Sequence, residues 1–92
     1  IKCFVCNSYH QQDCGDWFDN ATHSVHQCEP SQDRCRKIVQ QIKLDEEWQV
    51  RYIRQCAEGG EIGAYDGRVC KDRIGTSGVK MTYCHCQTEG CN

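Results

Sequence analysis

The clearest alternation of apolar and polar residues lies between Cys35 and Cys56. This segment reads CRKIVQQIKLDEEWQVRYIRQC, and its β-branched and aromatic residues favour strands. The polar stretch LDEEW interrupts it at the middle. We predict two antiparallel strands, roughly residues 35–43 and 48–56, joined at residues 45–47.

The register of this hairpin depends on its turn, which lacks the Asn-Gly or Asp-Gly pair that would fix it. If Ile42 faces Val50, one face carries most of the apolar side chains. These are Ile38, Ile42, Leu44, Trp48, Val50 and Tyr52. The other face then carries Lys37, Lys43, Gln49 and Arg51, with Val39 and Ile53. A slip of one residue would exchange the faces of one strand.

The remaining segments also favour strands and turns. Residues 57–69 contain four glycines and predict a loop, in which Asp66-Gly67 is a tight-turn candidate. Residues 70–84 predict another hairpin, with GTSG at its tip and VKMTYC as its return strand. The stretch from Cys6 to Cys28 is polar, with an aromatic pair at Trp17 and Phe18. The pattern therefore predicts a small all-β fold with few or no helices.

The composition indicates that this fold has a small apolar core. The chain has 92 residues, which is room for one domain, and 38% of them are hydrophobic. Ten of these are cysteines and one is leucine. Because so short a chain buries a modest apolar surface, covalent or metal cross-links must add to its stability.

The cysteines favour disulfides over a metal site. Ten cysteines in 92 residues exceed the roughly 8–10% that is typical of a disulfide scaffold, and their number is even. A structural zinc site would need two close ligand pairs, but Cys3 and Cys6 form the one CxxC of the sequence. We expect disulfides, no metal, and a secretory or extracellular compartment. The number of possible pairings is too large for spacing alone to give the connectivity.

The charge and the ends of the sequence exclude further classes of protein. A formal net charge of −2 and a pI of about 6.1 argue against nucleic-acid binding and against a cationic, membrane-lysing toxin. No run approaches the roughly 20 apolar residues of a membrane span. The opening IKCFVC lacks the basic and apolar regions of a signal peptide. We expect a mature secreted chain that is trimmed at its start and at its end.

The first and last cysteines carry a family resemblance. The chain opens with CFVCN and closes with CQTEGCN, in which four residues separate a cysteine from Cys-Asn. This order resembles the three-finger family, which includes domains of the urokinase receptor, complement-protecting surface proteins and snake α-neurotoxins. Over the whole chain, 1–92, the resemblance implies a single three-finger domain, a disulfide hub with three β-hairpin fingers. The fingers lie at about residues 3–28, 35–56 and 57–84, and a terminal disulfide ring lies at 86–91.

The resemblance also implies how the cysteines pair. The implied disulfides are Cys3–Cys35, Cys6–Cys14, Cys28–Cys56, Cys70–Cys84 and Cys86–Cys91. Asn92 is similar to the family's hub asparagine, whose amide hydrogen-bonds backbone groups of neighbouring strands; the alternative is a frayed terminal residue. Most of the family has adjacent cysteines where this chain has Cys84-His85-Cys86. Since residues two apart on a strand share a face, we expect a bulge or a twist near His85.

A narrower resemblance concerns one branch of the family. The CxC form, the strand EEWQVRYIRQC and the long segment between Cys56 and Cys70 resemble the insect Quiver/Sleepless-like branch. Its members carry a glycosylphosphatidylinositol (GPI) anchor. They act in neuronal excitability and sleep, in modulation of potassium channels and nicotinic receptors, or in septate-junction assembly. The resemblance thus implies a lipid-anchored protein at the plasma membrane. Its partner would be a cell-surface protein: a junction component, an ion channel or a receptor.

Two surface features are candidate sites. Asn20-Ala21-Thr22 is a sequon, which predicts N-glycosylation of Asn20 on the first finger. The tip of the second finger is the candidate partner-binding site, and it comprises Leu44, Asp45, Glu46, Glu47 and Trp48. Tryptophan beside three carboxylates offers an apolar anchor within an acidic rim, and tryptophan is enriched at binding hot spots. The alternative is that Trp48 packs across the hairpin on Leu44 and that the acids are merely solvated.

Trp17 and Phe18 are a further candidate anchor. The alternative is that these two side chains pack on the first finger.

The sequence contains no pattern typical of a catalytic centre. It has four histidines, His10, His23, His26 and His85, but no serine motif and no placed pair of carboxylates accompanies them. We expect a non-catalytic module that acts by protein–protein contact, without a cofactor, a nucleic acid or a small-molecule substrate. The alternatives are a freely secreted, toxin-like ligand of a receptor and a small secreted enzyme.

Overall fold

The protein is built from short antiparallel sheets, here in a computed structural model that describes residues 1–10, 12–15, 23–60, 69–75 and 78–92. The strands are β1 (Lys2–Cys3), β2 (Cys6–Asn7), β3 (His26–Gln27), β4 (Arg34–Leu44), β5 (Glu47–Ala57), β6 (Val69–Ile74) and β7 (Val79–Cys86). A 3-10 turn, Gln12–Cys14, follows β2. Strand β1 pairs with β3, and the other five form a sheet in the order β2-β5-β4-β7-β6. The predicted all-β class is confirmed.

The described segments contain no helix that is long and apolar enough to cross a bilayer. Three predicted features lie outside the described residues: the candidate anchor at Trp17 and Phe18, the sequon at Asn20, and the turn at Asp66-Gly67.

The hairpin of β4 and β5 is the longest element of the fold. Each strand has 11 residues, and the two pair without interruption from Arg34 opposite Ala57 to Leu44 opposite Glu47. The loop between them consists of Asp45 and Glu46 alone, with φ angles of 50° and 66°. Two consecutive positive φ angles are typical of a type I′ turn, whose twist matches that of the flanking strands.

The predicted register of this hairpin is wrong by one residue. Ile42 faces Gln49, and Val50 faces Gln41. The cause is the turn, because a two-residue loop shifts the pairing by one position relative to the predicted three-residue connection. Residues directly opposite one another share a face. Apolar side chains are therefore divided between both faces instead of being collected on one.

Strand β7 joins the third finger to the second. It pairs with β4 on one side and with β6 on the other, and both ladders run without a break, so the bulge expected near His85 is not formed. Alternation instead places Cys84 and Cys86 on one face and His85 on the other. Cys84 bonds Cys70 directly opposite it, at a Cα–Cα distance of 4.0 Å. Cys86 bonds Cys91 beyond the end of the strand.

The core is made largely of sulfur. Six of the nine buried hydrophobic residues in the described part of the chain are cysteines. The five disulfides are Cys3–Cys35, Cys6–Cys14, Cys28–Cys56, Cys70–Cys84 and Cys86–Cys91, the same pairs that the resemblance implies. No cysteine of the chain, all ten of which are described, is free. Among larger carbon side chains, Phe4 and Ile38 are buried at 7% exposure each, so apolar packing adds little to this hub.

Candidate functional site

Asn92 holds the end of the chain against the hub. Its side-chain oxygen accepts a hydrogen bond from the Phe4 backbone N–H at 2.9 Å, and its amide nitrogen lies 2.8 Å from the Phe4 carbonyl oxygen. The same nitrogen lies 3.1 Å from the carbonyl oxygen of Arg36 and 3.4 Å from that of Gln55. One amide thus connects the roots of the first and second fingers.

Arg54 is a second hub residue, which the sequence analysis missed. Arg54 is opposite Lys37, which is in turn opposite Cys84, so its side chain lies on the face of the sheet that carries Cys84. The residue is 3% exposed. The guanidinium donates to the backbone oxygens of Cys14 at 2.7 Å, Gly15 at 3.2 Å and Asn92 at 2.8 Å. The planar fork of arginine suits three acceptors at fixed positions. Arg54 therefore ties the 3-10 turn of the first finger to the end of the chain.

A cluster of three sulfur atoms lies at the crossing of two disulfides. The Sγ atoms of Cys3, Cys28 and Cys56 lie within 4.8 Å of one another. Cys3 is bonded to Cys35, and Cys28 is bonded to Cys56. Cysteine binds zinc as a thiolate, which a sulfur atom in a disulfide cannot supply. The arrangement is therefore suited to cross-linking and unsuited to binding a metal.

The four histidines have different surroundings. The His10 ring packs edge-on against Tyr9, and His23 lies 3.1 Å from a carboxylate oxygen of Asp13. His26 of β3 is directly opposite Cys3 of β1. His85 accepts a hydrogen bond from Arg36. These contacts divide the histidines among different parts of the fold. The structure does not gather them into one site.

The tip of the second finger projects past its neighbour. The last residue of β4 that pairs with β7 is Ile42, opposite Val79. One residue further, the Lys43 N–H donates to the carbonyl oxygen of Gly78 at 2.7 Å. Residues 44–47 lie beyond these contacts and Trp48 lies level with Lys43, so within the described part of the chain the candidate partner-binding residues form an overhang at the end of the sheet.

Leu44 and Trp48 lie on opposite faces of this overhang. Leu44 is opposite Glu47, whereas Trp48 is opposite Lys43, and the two pairs alternate in direction. Packing of Trp48 on Leu44, the alternative raised from the sequence, is therefore wrong. Trp48 is 56% exposed and Leu44 is 45% exposed. Asp45, which is also exposed, lies with the other two acids between these apolar groups.

Next to the tip, the outer edge of β5 pairs with no other strand among the described residues. Tyr52 directs both backbone groups toward the first finger: its oxygen accepts from the Ser8 N–H, and its N–H donates to the Ser8 hydroxyl, each at 2.8 Å. Antiparallel alternation directs the backbone groups of Val50 and Trp48 to the same outer side. No strand in the described ranges pairs with them there. Exposed donors and acceptors thus continue from the tip along the strand edge.

A basic cleft of about 410 Å³ opens on the face of the sheet that carries Leu44. It is lined by Arg36, Gly59, Gly60, Lys71, Arg73, Tyr83 and His85. Burial lowers the pKa of His85, and the positive charges of Arg36 and Arg34 lower this pKa further. Sequence reasoning did not bring these residues together, because they come from three strands and a loop.

Comparison with known proteins places the chain in a family. The family model of the Quiver family u-PAR/Ly-6-like domain matches residues 1–92. The UPAR/Ly6 domain-containing protein crok of Drosophila melanogaster is 38% identical over 104 residues. That alignment covers 100% of this chain and 66% of the relative, so the chain spans about two thirds of the length of the curated relative it matches.

The comparisons agree with the architecture of the hub and fingers. Domains of this kind occur in extracellular or cell-surface proteins, generally bind other proteins and are generally not enzymes. Five disulfides and antiparallel sheets without an α-helix in the described residues are consistent with their three-finger fold. The chain belongs to the Quiver family of u-PAR/Ly-6-like domains.

Proposed function

We propose that this chain is the extracellular domain of a GPI-anchored surface protein that binds a membrane partner with the tip of its second finger. The observation that carries the proposal is Trp48, which is 56% exposed at the end of a hairpin that overhangs its neighbour. A large aromatic side chain left in water on a rigid support is typical of a binding anchor. The second finger therefore presents its largest aromatic residue where a partner can reach it.

The rigid hub makes this tip an effective binding element. Disulfides and the Asn92 contacts hold the roots of the fingers, and the two-residue turn at Asp45 and Glu46 fixes the end of the second finger. A tip that is ordered before binding loses less conformational entropy when it binds. The carboxylates at the turn favour a partner with a basic rim and steer its approach.

The open edge of β5 offers a second kind of contact to the same partner. The outward backbone groups of Trp48 and Val50 can pair with an added strand, and both side chains lie on one face, with Val50 43% exposed. An extended segment of the partner would thus be recognised by its backbone and by an apolar contact together. Such pairing gives affinity through hydrogen bonds and specificity through side chains.

The partner in this proposal is a protein of the same cell surface. Septate-junction assembly and modulation of ion channels or nicotinic receptors are the roles that the branch resemblance supports. A lipid tether would keep the domain at the membrane and raise its effective concentration near such partners. Glycosylation at Asn20 would shield part of the first finger and leave the second finger for recognition.

Cross-linking on living cells that display the anchored full-length protein tests the finger tip. We expect Trp48→Ala to lower the affinity for the captured partner about 30-fold, which corresponds to a hot spot of about 2 kcal/mol. Ile74→Ala, at an apolar residue of β6 that is 84% exposed, should leave capture unchanged. Equal capture by wild type and Trp48→Ala would refute the role of the tip.

Release of the protein from these cells tests the lipid anchor. Protein that enters the medium without treatment by phosphatidylinositol-specific phospholipase would refute the anchor and favour the secreted ligand.

A further inference from the structure

Strand alternation gathers cations on one face of the sheet. Arg36 of β4 is opposite His85 of β7, and Lys71 of β6 is opposite Tyr83 of β7. Arg73 follows Lys71 by two residues and therefore lies on the same face. These side chains line the cleft of about 410 Å³ described above.

The described lining of this cleft contains no carboxylate. Asp72, which lies between the two cations of β6, points to the opposite face. There it accepts a hydrogen bond from Thr82 at 2.7 Å and lies 3.7 Å from Lys80. Within the described residues, the charged side chains that line the cleft are thus basic, on a chain whose formal net charge is −2. Such a concentration of like charge attracts an anion.

His85 holds Arg36 in place at the cleft. The Arg36 Nε–H donates to His85 Nε2 at 2.9 Å, and Arg36 Nη2 lies 3.5 Å from the carbonyl oxygen of Gly59. The imidazole accepts through an unprotonated nitrogen, which agrees with the lowered pKa of His85. Among the residues that the structure describes, the Nη1 group of Arg36 makes no hydrogen bond.

Gly60 forms the wall of the cleft over His85. Its φ angle is 126°, and a Cβ atom at this position would lie 2.2 Å from the imidazole. Only glycine permits this approach of backbone to ring. The backbone at Gly60 therefore covers His85 closely.

From this geometry we propose that the cleft binds sulfate esters of a glycan chain, with Arg36 and Arg73 as the principal contacts. The Arg73 guanidinium can recognise an oxyanion through parallel N–H···O bonds, which an ammonium group cannot reproduce, and Arg36 adds the N–H groups of its Nη1 atom. The Arg73 guanidinium lies 6.0 Å from the centre of the Tyr83 ring, so an aromatic surface for a sugar ring adjoins it. A disulfide-stabilised protein works outside the cell, where sulfated glycans are the abundant polyanions.

Because each exposed ion pair is weak, the cleft suits a chain with several sulfates better than a free ion. An exposed ion pair contributes about 0.2–1 kcal/mol, so two or three such contacts hold inorganic sulfate weakly. A glycan with repeated sulfates makes several of these contacts at once. Because its sulfates are covalently connected, each contact after the first forms at a high effective concentration, and the overall affinity rises. Binding of this kind must weaken as salt screens the charges.

Titration of a heparin oligosaccharide into the oxidised protein tests the proposal. We expect binding that weakens with salt, and we expect Arg73→Gln to lower the affinity about fivefold, as the loss of one ion pair predicts. Arg36→Gln combined with Arg73→Gln should lower it further. Lys43→Gln removes the same charge from the opposite face and should leave the affinity unchanged. The same oligosaccharide after chemical desulfation should not bind.

Other outcomes of this titration would overturn the proposal. Equal losses with Arg73→Gln and Lys43→Gln would indicate nonspecific attraction, and competition by inorganic sulfate at the concentration of the oligosaccharide would indicate a free-ion site. Preference for vesicles of anionic phospholipid would indicate a membrane surface instead. Trp48→Ala should bind the oligosaccharide as the wild type does, so failure of the cleft and failure of the finger tip are distinguished.

Discussion

Arg54 is a buried and Asn92 a half-buried polar residue among the disulfides, and both bond to backbone groups. Arg54 donates to carbonyl oxygens of the first finger's 3-10 turn and of the chain end, and Asn92 connects that end to Phe4. Backbone groups that are left unpaired away from water are unfavourable by roughly 1–3 kcal/mol each. Two side chains therefore satisfy groups at the hub that no sheet ladder reaches.

We predict that Arg54→Lys lowers the free energy of unfolding by about 2–4 kcal/mol, because one ammonium group cannot reach acceptors on both Cys14 and Asn92. Urea unfolding under oxidising conditions measures the change. Arg51→Lys is the matched control, since Arg51 is half-buried and contacts the Tyr9 ring at 4.4 Å. It should lower stability by less than about 1 kcal/mol. Equal stability of wild type and Arg54→Lys would contradict the role of Arg54.

The sequence distinguishes these two residues to different degrees. Asn92 follows the last cysteine in a pattern that resembles the family, so its hub position could be expected. Arg54 stands in RYIRQC, near Arg51, and nothing in that strand marks one arginine as buried. Burial of Arg54 depends on the first finger and the chain end crossing over β5, which only the tertiary structure shows.

At the scale of elements, the turn of the second finger decides which side chains the finger presents. Asp45 and Glu46 both have positive φ angles, and the resulting two-residue loop separates Leu44 from Trp48 on opposite faces. Aspartate tolerates this conformation, but glutamate is unfavourable there by roughly 1–2 kcal/mol. The turn therefore keeps an acidic side chain at some loss of stability.

We predict that Glu46→Gly raises the free energy of unfolding by about 1 kcal/mol, because glycine adopts a positive φ angle without strain. Glu47→Gly removes the same charge from the first residue of β5 and should lower stability by about 0.5–1 kcal/mol. Urea unfolding of both variants measures the difference. If both glycines destabilise the protein equally, the left-handed turn is not the conformation in solution.

Alternation along the chain predicted the hairpins more reliably than it predicted their register. Both long hairpins lie where β-prone residues flank a polar or glycine-containing break. The predicted register was wrong because Asp45-Glu46 is not one of the pairs typical of a type I′ turn. Nothing in the sequence therefore favoured a two-residue loop. The bulge that was one of the two distortions expected near His85 is absent. The Cys86–Cys91 disulfide forms beyond the end of the strand, so it needs no bulge within it.

At the scale of the whole molecule, one sulfur hub supports a sheet whose two faces differ. The described chain extends 40 × 28 × 22 Å, and its buried hydrophobic residues are mostly cysteines at one end. The cysteine content predicted such a scaffold, and the family resemblance implied the pairs. The basic cleft could not be foreseen, because it needs the correct register and the approach of Gly60 to His85.

Cross-links of this kind stabilise the fold chiefly by restricting the unfolded chain. A disulfide that closes a loop of about 15 residues contributes roughly 3 kcal/mol in the chain-entropy treatment. Cys3–Cys35 and Cys28–Cys56 close longer loops, with sequence separations of 32 and 28. Against a total stability of about 5–15 kcal/mol for a small domain, such contributions decide whether the fold exists.

The most direct test of this account is circular dichroism of the protein before and after complete reduction, with thiols counted by mass spectrometry. The oxidised protein should contain no free thiol and show a strand spectrum. After reduction, ten thiols should appear and the strand spectrum should be lost. A fully reduced protein that keeps its strand spectrum would contradict the claim that disulfides maintain this fold.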